Sequence, residues 1–476
     1  MLKFHNTLTK QKEEFTPINA GKVGMYTCGP TVYSYVHIGN LRAYTNADLI
    51  RRYLMYRGYE VRMIKNITDV GHLTDDDIAQ GDSGEDKMEK AAKKEKKTPT
   101  EIARFYENYA KEVEKEMNIL PAHFFPRATE HISQMIIIIE TLITKDFAYE
   151  KNGNVFFDVT RFADYGKLSG NTLGNLNIGA RLEDPHPDKR NQWDFALWLK
   201  APDNHIMKWQ SPWSLGYPGW HIECSAMSME YLGASFDIHT GGTDNIFPHH
   251  EAEIAQSECA NDVKFVNYWL HSQLLLVDGE KMSKSKGNFY RVEDIKERGF
   301  TPMDLRLTYL LSHYRSQMNF TWDVMAQAQK NRKTCENFIT RLDNFAPADT
   351  TDHIALDIAK YKKQFEDAMN DDLNTPLAIT TLLAIVTEGN TLMDEQTLTN
   401  ASDISAFFTK AFTTVLGITL TPEDTKIPTE ITQLLKKREE ARTQKDFATS
   451  DSVRDEILSM GYMIKDTPDG CKIQKI

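Results

Sequence analysis

A strand, a loop and a helix follow one another near the start of the chain, and this order constrains the fold more than any other feature. Residues 22–27 are an apolar run, residues 28–40 form a loop with glycine and proline, and residues 41–56 are amphipathic. A helix that begins after such a loop presents unpaired backbone N–H groups and the positive end of its dipole. His37 and Asn40 are three residues apart, so both side chains lie at one edge of the first turn. The segment therefore predicts an anion site that could hold phosphate oxygens.

A lysine-rich segment lies about 240 residues further along the chain. It begins with Lys281 and continues through Lys284 and Lys286, after an apolar run at 273–277 and an Asp-Gly turn signal. Lysines and serines close to a glycine form a cationic loop that can clamp a pyrophosphate leaving group as its charge develops. This loop predicts phosphate chemistry that the first segment alone would not establish.

The sequence around the first segment indicates an α/β fold with a parallel sheet. Residues 59–67 read as a second strand that ends beside Thr68, so strands and helices alternate from residue 22 onward. In such sheets ligands bind at the carboxyl ends of the strands. We therefore expect Cys28 and Thr68 to lie at the same edge of a Rossmann-like sheet.

Length and patterning divide the chain further. Its 476 residues suffice for two to four domains. Residues 121–200 look like an insertion between the halves of the sheet, helical patterning takes over beyond residue 300, and linkers lie near 345–352 and 420–428. We predict domains at 1–120 and 201–275 (the two halves of the catalytic sheet), 121–200 (the insertion), 276–320 (the lysine loop), 321–420 (a helical bundle) and 421–476 (a small C-terminal domain).

Composition excludes some classes of protein. The five scattered cysteines suit a reducing compartment and not a disulfide framework. The N-terminus lacks a signal-peptide pattern, and the most apolar stretch, around 135–143, is too short for a bilayer. We expect a cytoplasmic protein with no membrane role. The net charge of −12 neither supports nor excludes RNA, because phosphate contacts act locally under salt screening.

Four residues from three places form a candidate metal site. Cys28, Cys224, His249 and Glu253 carry the donor types that zinc prefers, and the last two stand at helical i, i+4 spacing. His250 is an equally credible imidazole donor. No Cys-x-x-Cys pair is present, so core cysteines and a histidine-capped helix explain the same residues equally well.

Several segments carry a resemblance to a known family. The His37-Ile-Gly-Asn and Lys281-Met-Ser-Lys-Ser segments resemble the paired signatures of class I aminoacyl-tRNA synthetases, with Asn40 in place of the second histidine. Asparagine keeps a hydrogen-bond donor but carries no charge. The segments that begin at Thr27, Gly219, His239 and Phe247 resemble cysteinyl-tRNA synthetases in particular. Similar segments continue to the tail at 465–470, over nearly the whole chain.

The resemblance implies an activity and its cofactors. It implies that ATP activates L-cysteine, and that the cysteinyl group then passes to the 3′ end of tRNA(Cys). One zinc ion would be held by Cys28, Cys224, His249 and Glu253 and would bind the substrate sulfur, because zinc prefers a thiolate to a neutral hydroxyl. Magnesium would accompany ATP. We expect a monomer.

The resemblance also implies roles for single residues and for the C-terminal half. Residues 276–320 would contact the tRNA stem, 321–420 would bind tRNA and 421–476 would bind the anticodon. The residues implied at the site are, for catalysis, His37, Asn40, Lys281 and Lys284; for the adenylate, also Gly39, Gly242, Thr243 and Asp244; and for cysteine, Gly29, Thr68 and Trp220.

Two other functions remain open at this point. A related class of enzyme ligates cysteine to an amino sugar with a similar zinc and adenylation core, but it lacks a long helical C-terminal part. A catalytically silent RNA-binding relative would have lost the lysine loop or the metal donors, and both are present here.

Overall fold

The computed structural model describes residues 1–70, 73–75, 83–175, 186–283, 286–346, 353–420, 429–444, 446–467 and 470–475. It divides into two compact units, Met1–Leu420 and Thr421–Ile476. The second unit starts at the residue where we expected the C-terminal domain to start. Each unit is described below by itself.

A four-stranded parallel sheet forms the centre of the first unit, as the sequence predicts. Its strands, in spatial order, are Val266–Ser272, Phe236–Gly242, Lys22–Thr27 and Glu60–Lys65. Both faces of the sheet are covered, so Met25, Tyr26 and Thr27 on successive positions of one strand are all buried. The predicted second strand is shorter than expected, at Glu60–Lys65. The α/β fold class is confirmed.

The insertion is built on a five-stranded antiparallel sheet. Its strands, in spatial order, are Trp209–Gln210, Leu215–Pro218, Phe195–Lys200, Asn154–Phe157 and Ala148–Lys151. The sheet thus runs past residue 200, where we placed the end of the insertion. The short strands after that residue give no alternating apolar pattern long enough to be read from sequence.

Smaller sheets complete the strands that the structure describes. A three-stranded sheet, here named the lysine sheet, contains Glu280–Lys281, Leu275–Val277 and Met318–Phe320 in that order. Two-stranded hairpins occur at Lys3–Asn6 with Gln11–Glu14, Leu73–Asp75 with Ser83–Asp86, and Tyr462–Thr467 with Gly470–Lys475. The lysine sheet carries the first lysine of the predicted loop.

Helices surround the sheets and make up the rest of the first unit. Those before residue 300 are Ile38–Tyr56, Lys87–Glu95, Pro99–Glu116, Ile132–Thr144, Trp220–Leu232, Glu251–Asn261 and Val292–Glu297. Those after it are Pro302–Leu310, Trp322–Asp343, Ile358–Asn370, Thr375–Asp394 and Ala401–Thr409, the last extended by a π-helical turn at Lys410–Val415. Short 3-10 turns lie at Ala128–Glu130, Val159–Arg161 and Thr243–Asn245. The predicted helical region beyond residue 300 is therefore present.

Helix Thr375–Asp394 is apolar enough to be compared with a membrane span. Its best window has a mean hydropathy of 1.2, and half of that window is buried in the protein. Leu382 and Ile385 belong to the same apolar core as Phe338 and Phe365 of neighbouring helices. Its hydropathy is therefore explained by packing within the helical region.

The second unit contains two helices and a hairpin. The helices are Thr429–Thr443 and Phe447–Ser459, and Ile431, Val453, Ile457 and Ile464 form its small core. The basic stretch from Lys436 to Arg454 is thus split between the two helices. Asp446 caps the second helix through a hydrogen bond from the Thr449 N–H, which explains the break.

Candidate active site and metal centre

A cavity of about 450 Å³ opens at the carboxyl ends of the central strands. Thr27, Gly242 and Ser272, each at the end of one central strand, lie in its wall. The predicted site residues that line it are Cys28, Gly29, His37, Gly39, Asn40, Thr68, Trp220, Cys224, Gly242, Asp244, His249 and Lys281. Cys28 and Thr68 therefore share one edge, as expected from a parallel sheet.

The His37 segment forms the N-terminus of helix Ile38–Tyr56. His37 is the N-cap, and its Nδ1 accepts hydrogen bonds from the N–H groups of Gly39 (3.1 Å) and Asn40 (3.3 Å). The Asn40 Oδ1 in turn accepts from the His37 N–H at 3.1 Å, which completes a capping box. Asn40 thus has a structural task that needs an acceptor, and its amide NH₂ is the part left to face a ligand.

Gly39 has a steric role at this helix start. A Cβ on Gly39 would lie 2.8 Å from Cε of Met282, the residue after Lys281. It would also lie 2.9 Å from Cε1 of His37. The missing side chain therefore lets the lysine segment approach the helix start closely.

Lys281 reaches the cavity from the lysine sheet. It is exposed, and strand Glu280–Lys281 pairs antiparallel with Leu275–Val277 through the Leu276–Lys281 register. Lys286, also exposed, forms a salt bridge with Glu280 at 2.9 Å. Lys284 lies outside the described residues, so its predicted role receives no structural account.

The loop after the first strand is packed tightly against the end of its neighbour. The Gly29 N–H donates to the Asn66 Oδ1 at 2.7 Å, and a Cβ on Gly29 would lie 1.7 Å from the Asn66 carbonyl oxygen. The Asn66 side chain also donates to Thr68 Oγ1 at 3.1 Å. Gly29 and Thr68 line the cavity, but their polar groups are already engaged in holding the two loops together.

The residues after strand Phe236–Gly242 divide between two places. Gly242 and Asp244 line the cavity, and a Cβ on Gly242 would lie 2.1 Å from the Asp244 Oδ1. Thr243 is not part of the cavity wall. Its hydroxyl donates to Gln273 Oε1 at 3.4 Å, and Gln273 itself lines the cavity.

The predicted metal donors converge at the base of the cavity. One ligand atom from each of Cys28, Cys224, His249 and Glu253 lies within 4.8 Å of the others. His249 Nε2 is 3.1 Å from Glu253 Oε1, as the i, i+4 spacing requires. Cys28 is partly exposed to the cavity and the other three are buried, with Glu253 fully so. The prediction that the fold gathers these four residues holds.

The chain kinks just before the helix that carries Glu253. Phe247 has an extended backbone (φ −139°, ψ 129°), and the α-helix starts at Glu251. The two consecutive histidines between them both approach Glu253 Oε1, His249 Nε2 at 3.1 Å and His250 Nε2 at 3.9 Å.

His250 belongs to a second, overlapping set of donors. Cys28, His239, His250 and Glu253 also have ligand atoms within 4.8 Å of one another. His250 Nε2 lies 3.2 Å from Cys28 Sγ, whereas it is 3.9 Å from Glu253 Oε1. The two sets share Cys28 and Glu253, but only the first contains two thiols.

A row of further histidines, none of which we had predicted as a site residue, backs the donors. His221 Nδ1 lies 3.0 Å from His249 Nδ1, and His271 Nε2 lies 2.7 Å from His250 Nδ1. His239 Nε2 contacts Glu253 Oε2 at 2.9 Å. Such contacts fix the ring orientation of donor histidines. The only sequence signal for this row was that His221 and His239 fall inside the resemblance segments.

The electrostatics of the cluster favour a cation. Burial raises the pKa of Glu253, but His239 and His249 outweigh it and lower that pKa to about 2. Burial lowers the pKa of His249, but the negative potential of Cys224 and Glu253 raises it to about 10. Burial and the neighbouring histidines hold the pKa of His250 well below its ordinary value. His249 therefore carries a proton, and this positive charge lies where a metal cation would also be stabilised.

The fit to a metal can be tested on one atom. The buried Glu253 Oε1 lies 3.1 Å from His249 Nε2 but forms no hydrogen bond of regular geometry with a described residue, whereas Oε2 is paired with His239. A buried carboxylate oxygen without a well-aligned donor is costly unless another ligand satisfies it. Together with two thiols and an imidazole, this oxygen completes a donor set that suits zinc.

Trp220 covers the metal donors on the side of the cavity. Its ring stacks on the His249 ring with centroids 4.4 Å apart and planes 26° from parallel. Trp220 begins helix Trp220–Leu232, which also carries Cys224 one turn later. Trp220 therefore lies beside the metal donors in the wall of the cavity.

Three family profiles match the chain. They are the class I (C) tRNA synthetase catalytic domain over residues 14–330, the DALR domain over 364–421, and the cysteinyl-tRNA ligase anticodon-binding domain over 424–472. Together they span both structural units.

Curated relatives match along the whole chain. Cysteine–tRNA ligase of Chlorobium chlorochromatii is 44% identical over 98% of both chains. That of Caldicellulosiruptor saccharolyticus is 45% identical over 100% of both, and that of Thermus thermophilus is 41% identical over 98% of both. Among solved structures, methionyl-tRNA synthetase of Mycobacterium tuberculosis has a TM-score of 0.59 at 14% identity and covers 83% of this chain and 90% of its own. That likeness concerns the fold.

Proposed function

The chain belongs to the cysteine–tRNA ligases of the class I aminoacyl-tRNA synthetases, and from this premise we propose how its cavity divides the work. Members of this family activate L-cysteine with ATP and then charge tRNA(Cys). We propose that the base of the cavity selects the amino acid and that its rim carries out the reaction with ATP. The observation that carries the proposal is that four zinc-type donors converge, and that three of them, Cys28, Cys224 and His249, line the same cavity as the predicted catalytic residues His37, Asn40 and Lys281.

Zinc is the metal we propose for the base, held by Cys28, Cys224, His249 and Glu253. We favour this set over the one with His250 because it contains two thiols, which zinc prefers. When bound, zinc would accept the substrate thiolate and disfavour the hydroxyl of serine. A hydrophobic pocket alone distinguishes such close analogues by only about 10- to 200-fold. The chain's own part is to bury the donors and to hold their rings in place.

Gly29, Thr68 and Trp220 would enclose the cysteine. Trp220 lies against His249 and would cover the bound side chain. Gly29 follows Cys28 in the cavity wall, where its missing side chain lets the Asn66 backbone approach, and Thr68 lies at the neighbouring strand end. These residues would exclude water and larger amino acids from the base of the cavity.

The reaction with ATP would take place at the rim. The substrate carboxylate attacks the α-phosphorus, so the protein has to position the reactants and stabilise charge. His37 and the Asn40 amide would contact phosphate oxygens at the start of helix Ile38–Tyr56, where the helix dipole is favourable. Lys281, with Lys284, would neutralise the departing pyrophosphate.

Gly39, Gly242 and Asp244 would contact the adenylate, and Mg²⁺ would accompany ATP. Thr243 is directed to Gln273 and would support the adenylate site from behind.

For the second step we propose that residues 321–420 and 421–476 bind tRNA(Cys), with 276–320 near its stem. We propose a cytoplasmic monomer. Profile matches that continue to residue 472 favour tRNA over an amino sugar as the acceptor, since the C-terminal part would have no use in the latter reaction.

The test is cysteine-dependent exchange of labelled pyrophosphate into ATP, with serine in parallel and bound zinc quantified on the same sample. We expect exchange with cysteine alone at about one zinc per chain. Exchange without bound zinc would contradict the proposed basis of selection. Charging of tRNA(Cys), compared with ligation to an amino sugar, then identifies the acceptor.

A further inference from the structure

A buried arginine lies directly behind the nucleotide side of the cavity. Arg42 is two residues beyond Asn40 in helix Ile38–Tyr56, and only 1% of it is exposed. Its guanidinium donates to four backbone carbonyl oxygens: Gln273 (2.6 Å) and Leu274 (3.0 Å) from Nη1, and Ser316 (2.7 Å) and His313 (3.3 Å) from Nη2. No carboxylate forms a salt bridge with it in the described part of the chain, and burial lowers its pKa to about 10. A buried cation without a counter-ion is costly, so these four contacts need an explanation.

The four carbonyls belong to the two entry points of the lysine sheet. Residues 273 and 274 join central strand Val266–Ser272 to strand Leu275–Val277, and residues 313–316 lead into strand Met318–Phe320. Strand Leu275–Val277 pairs in parallel with Met318–Phe320 and antiparallel with Glu280–Lys281. A single guanidinium therefore holds the lysine sheet where two of its three strands begin.

The same guanidinium is fixed to the helix that begins at His37. His37 and Asn40 line one side of the cavity, and Lys281 lines another, but Arg42 is not part of the wall. The helix start also contacts the segment that follows the lysine loop: the Ile38 N–H donates to the Tyr290 carbonyl at 3.0 Å. Arg42 thus connects the two halves of the nucleotide side from behind without reaching the substrate.

We propose that Arg42 is a positioning residue that sets the placement of Lys281 relative to His37 and Asn40 during the reaction with ATP. The inference rests on the proposed function of this cavity. A displacement of about 1 Å in a reacting group can lower a rate about 100-fold. Arginine suits the task because its planar fork reaches four acceptors at fixed angles, whereas lysine presents three donors from one point.

The test compares Arg42→Lys with wild type in cysteine-dependent pyrophosphate exchange. The ammonium keeps the charge but cannot span both strand entries. We expect kcat to fall about 100-fold or the KM for ATP to rise by at least 10-fold. The KM for cysteine and the zinc content should stay within twofold of wild type, because the metal donors lie on other elements.

Arg306→Lys is the matched control. Arg306 is fully buried, donates to the carbonyls of Leu416, Met117 and Asn118, and forms a salt bridge with Asp48 of helix Ile38–Tyr56; the contacts that the described residues give it do not include the lysine sheet. The Arg306→Lys variant should lower the melting temperature as Arg42→Lys does, but it should leave kcat and the KM for ATP within twofold of wild type. An equal kinetic loss in both variants would mean general destabilisation and would overturn the proposal.

A Lys281→Ala background gives a second readout. If Arg42 acts through the position of Lys281, then Arg42→Lys should reduce the exchange rate by a clearly smaller factor when Lys281 is already absent. If the factors measured for the two single variants instead multiply in the double variant, the proposal is overturned. Arg42→Gln, which keeps an amide donor, is made alongside, and circular dichroism decides which variant is folded and used.

The wild-type measurement distinguishes a failure of the proposed function from a failure of the proposed role of Arg42. Absence of exchange in wild type overturns the proposed function together with this inference. Exchange by wild type with unchanged kinetics in the folded Arg42 variant overturns the role of Arg42 alone.

Discussion

Two adjacent histidines compete as the metal donor, and replacing each in turn distinguishes them. His249 and His250 both direct Nε2 at the donor cluster. We predict that His249→Gln removes a zinc ligand, whereas His250→Gln removes only a neighbour of Cys28. Glutamine is the matched replacement in both cases because it keeps a polar side chain without an imidazole donor.

The expected magnitudes follow from the number of donors lost. Four-donor zinc sites bind with about 10–16 kcal/mol, so one donor accounts for about 2.5–4 kcal/mol, or about 100- to 1,000-fold in affinity. His249→Gln should therefore weaken zinc binding by that factor. It also leaves the negative charge of Cys224 and Glu253 without its imidazole partner, so the upper end of the range applies. A residue that only orients a ligand typically contributes about 10- to 100-fold, and His250→Gln should lie near the lower end because all four donors remain.

The assay is competition with a chelator of known affinity, followed by substitution of the zinc by cobalt. Absorption from thiolate-to-cobalt charge transfer reports the thiolate donors. The proposed set contains two, Cys28 and Cys224, and the alternative set contains only Cys28. We expect Cys224→Ser to reduce this band by about half and His250→Gln to leave it unchanged.

The opposite ranking would refute the reasoning. If His250→Gln released the zinc while His249→Gln retained it, the metal would be held by the overlapping set with His239. An unchanged charge-transfer band in Cys224→Ser would lead to the same conclusion. Circular dichroism of each variant with and without metal serves as the control for folding.

Three further predictions concern separate parts of the first unit. Lys281→Ala should lower kcat of pyrophosphate exchange about 100- to 1,000-fold and leave one zinc per chain, since it removes charge stabilisation only. Gly29→Ala should lower the free energy of unfolding in urea by about 1–3 kcal/mol or more, because its Cβ would lie 1.7 Å from the Asn66 carbonyl oxygen; Gly174→Ala, whose nearest neighbour would be 4.0 Å away, should be nearly neutral. For Glu107, burial raises the pKa but its salt bridges lower it further, below the ordinary value of 4.5. The stability from Glu107 is thus present above pH 4.5 and is lost as pH falls through the lowered value, so the difference in unfolding free energy between wild type and Glu107→Gln should shrink below pH 4.5.

The fold could be predicted because its pattern is local. The apolar run at 22–27, the loop and the helix that follows each leave a signal within a few residues, and their order implies a parallel sheet. The end of the insertion was less accessible, since strand Leu215–Pro218 is recognisable only by its partner Phe195–Lys200. Pairing between distant segments has no local signature.

The site could be predicted to the level of residue types but not of their secondary contacts. Cys28, Cys224, His249 and Glu253 are recognisable as donors by their chemistry and by resemblance. The role of Asn40 as an acceptor in the capping box could not be predicted, because it appears only in the structure of the helix start. The hydrogen bond from Thr243 to Gln273 and the contact of His271 with His250 from a different strand could not be predicted either.

The two sides of the cavity are built with different rigidity, and their tasks explain why. Cys28 is fixed by the strands themselves: its N–H donates to the Thr240 carbonyl at 3.2 Å in the adjacent central strand. A thiol and a hydroxyl differ by a single atom, so a site that distinguishes them needs donors that cannot shift to fit the wrong atom. Lys281, in contrast, is exposed on a strand of two residues at the edge of a small sheet. In the proposed reaction pyrophosphate would leave past this lysine, so a charge held in place by Arg42 from behind, and open to solvent in front, would stabilise the leaving group without retaining it.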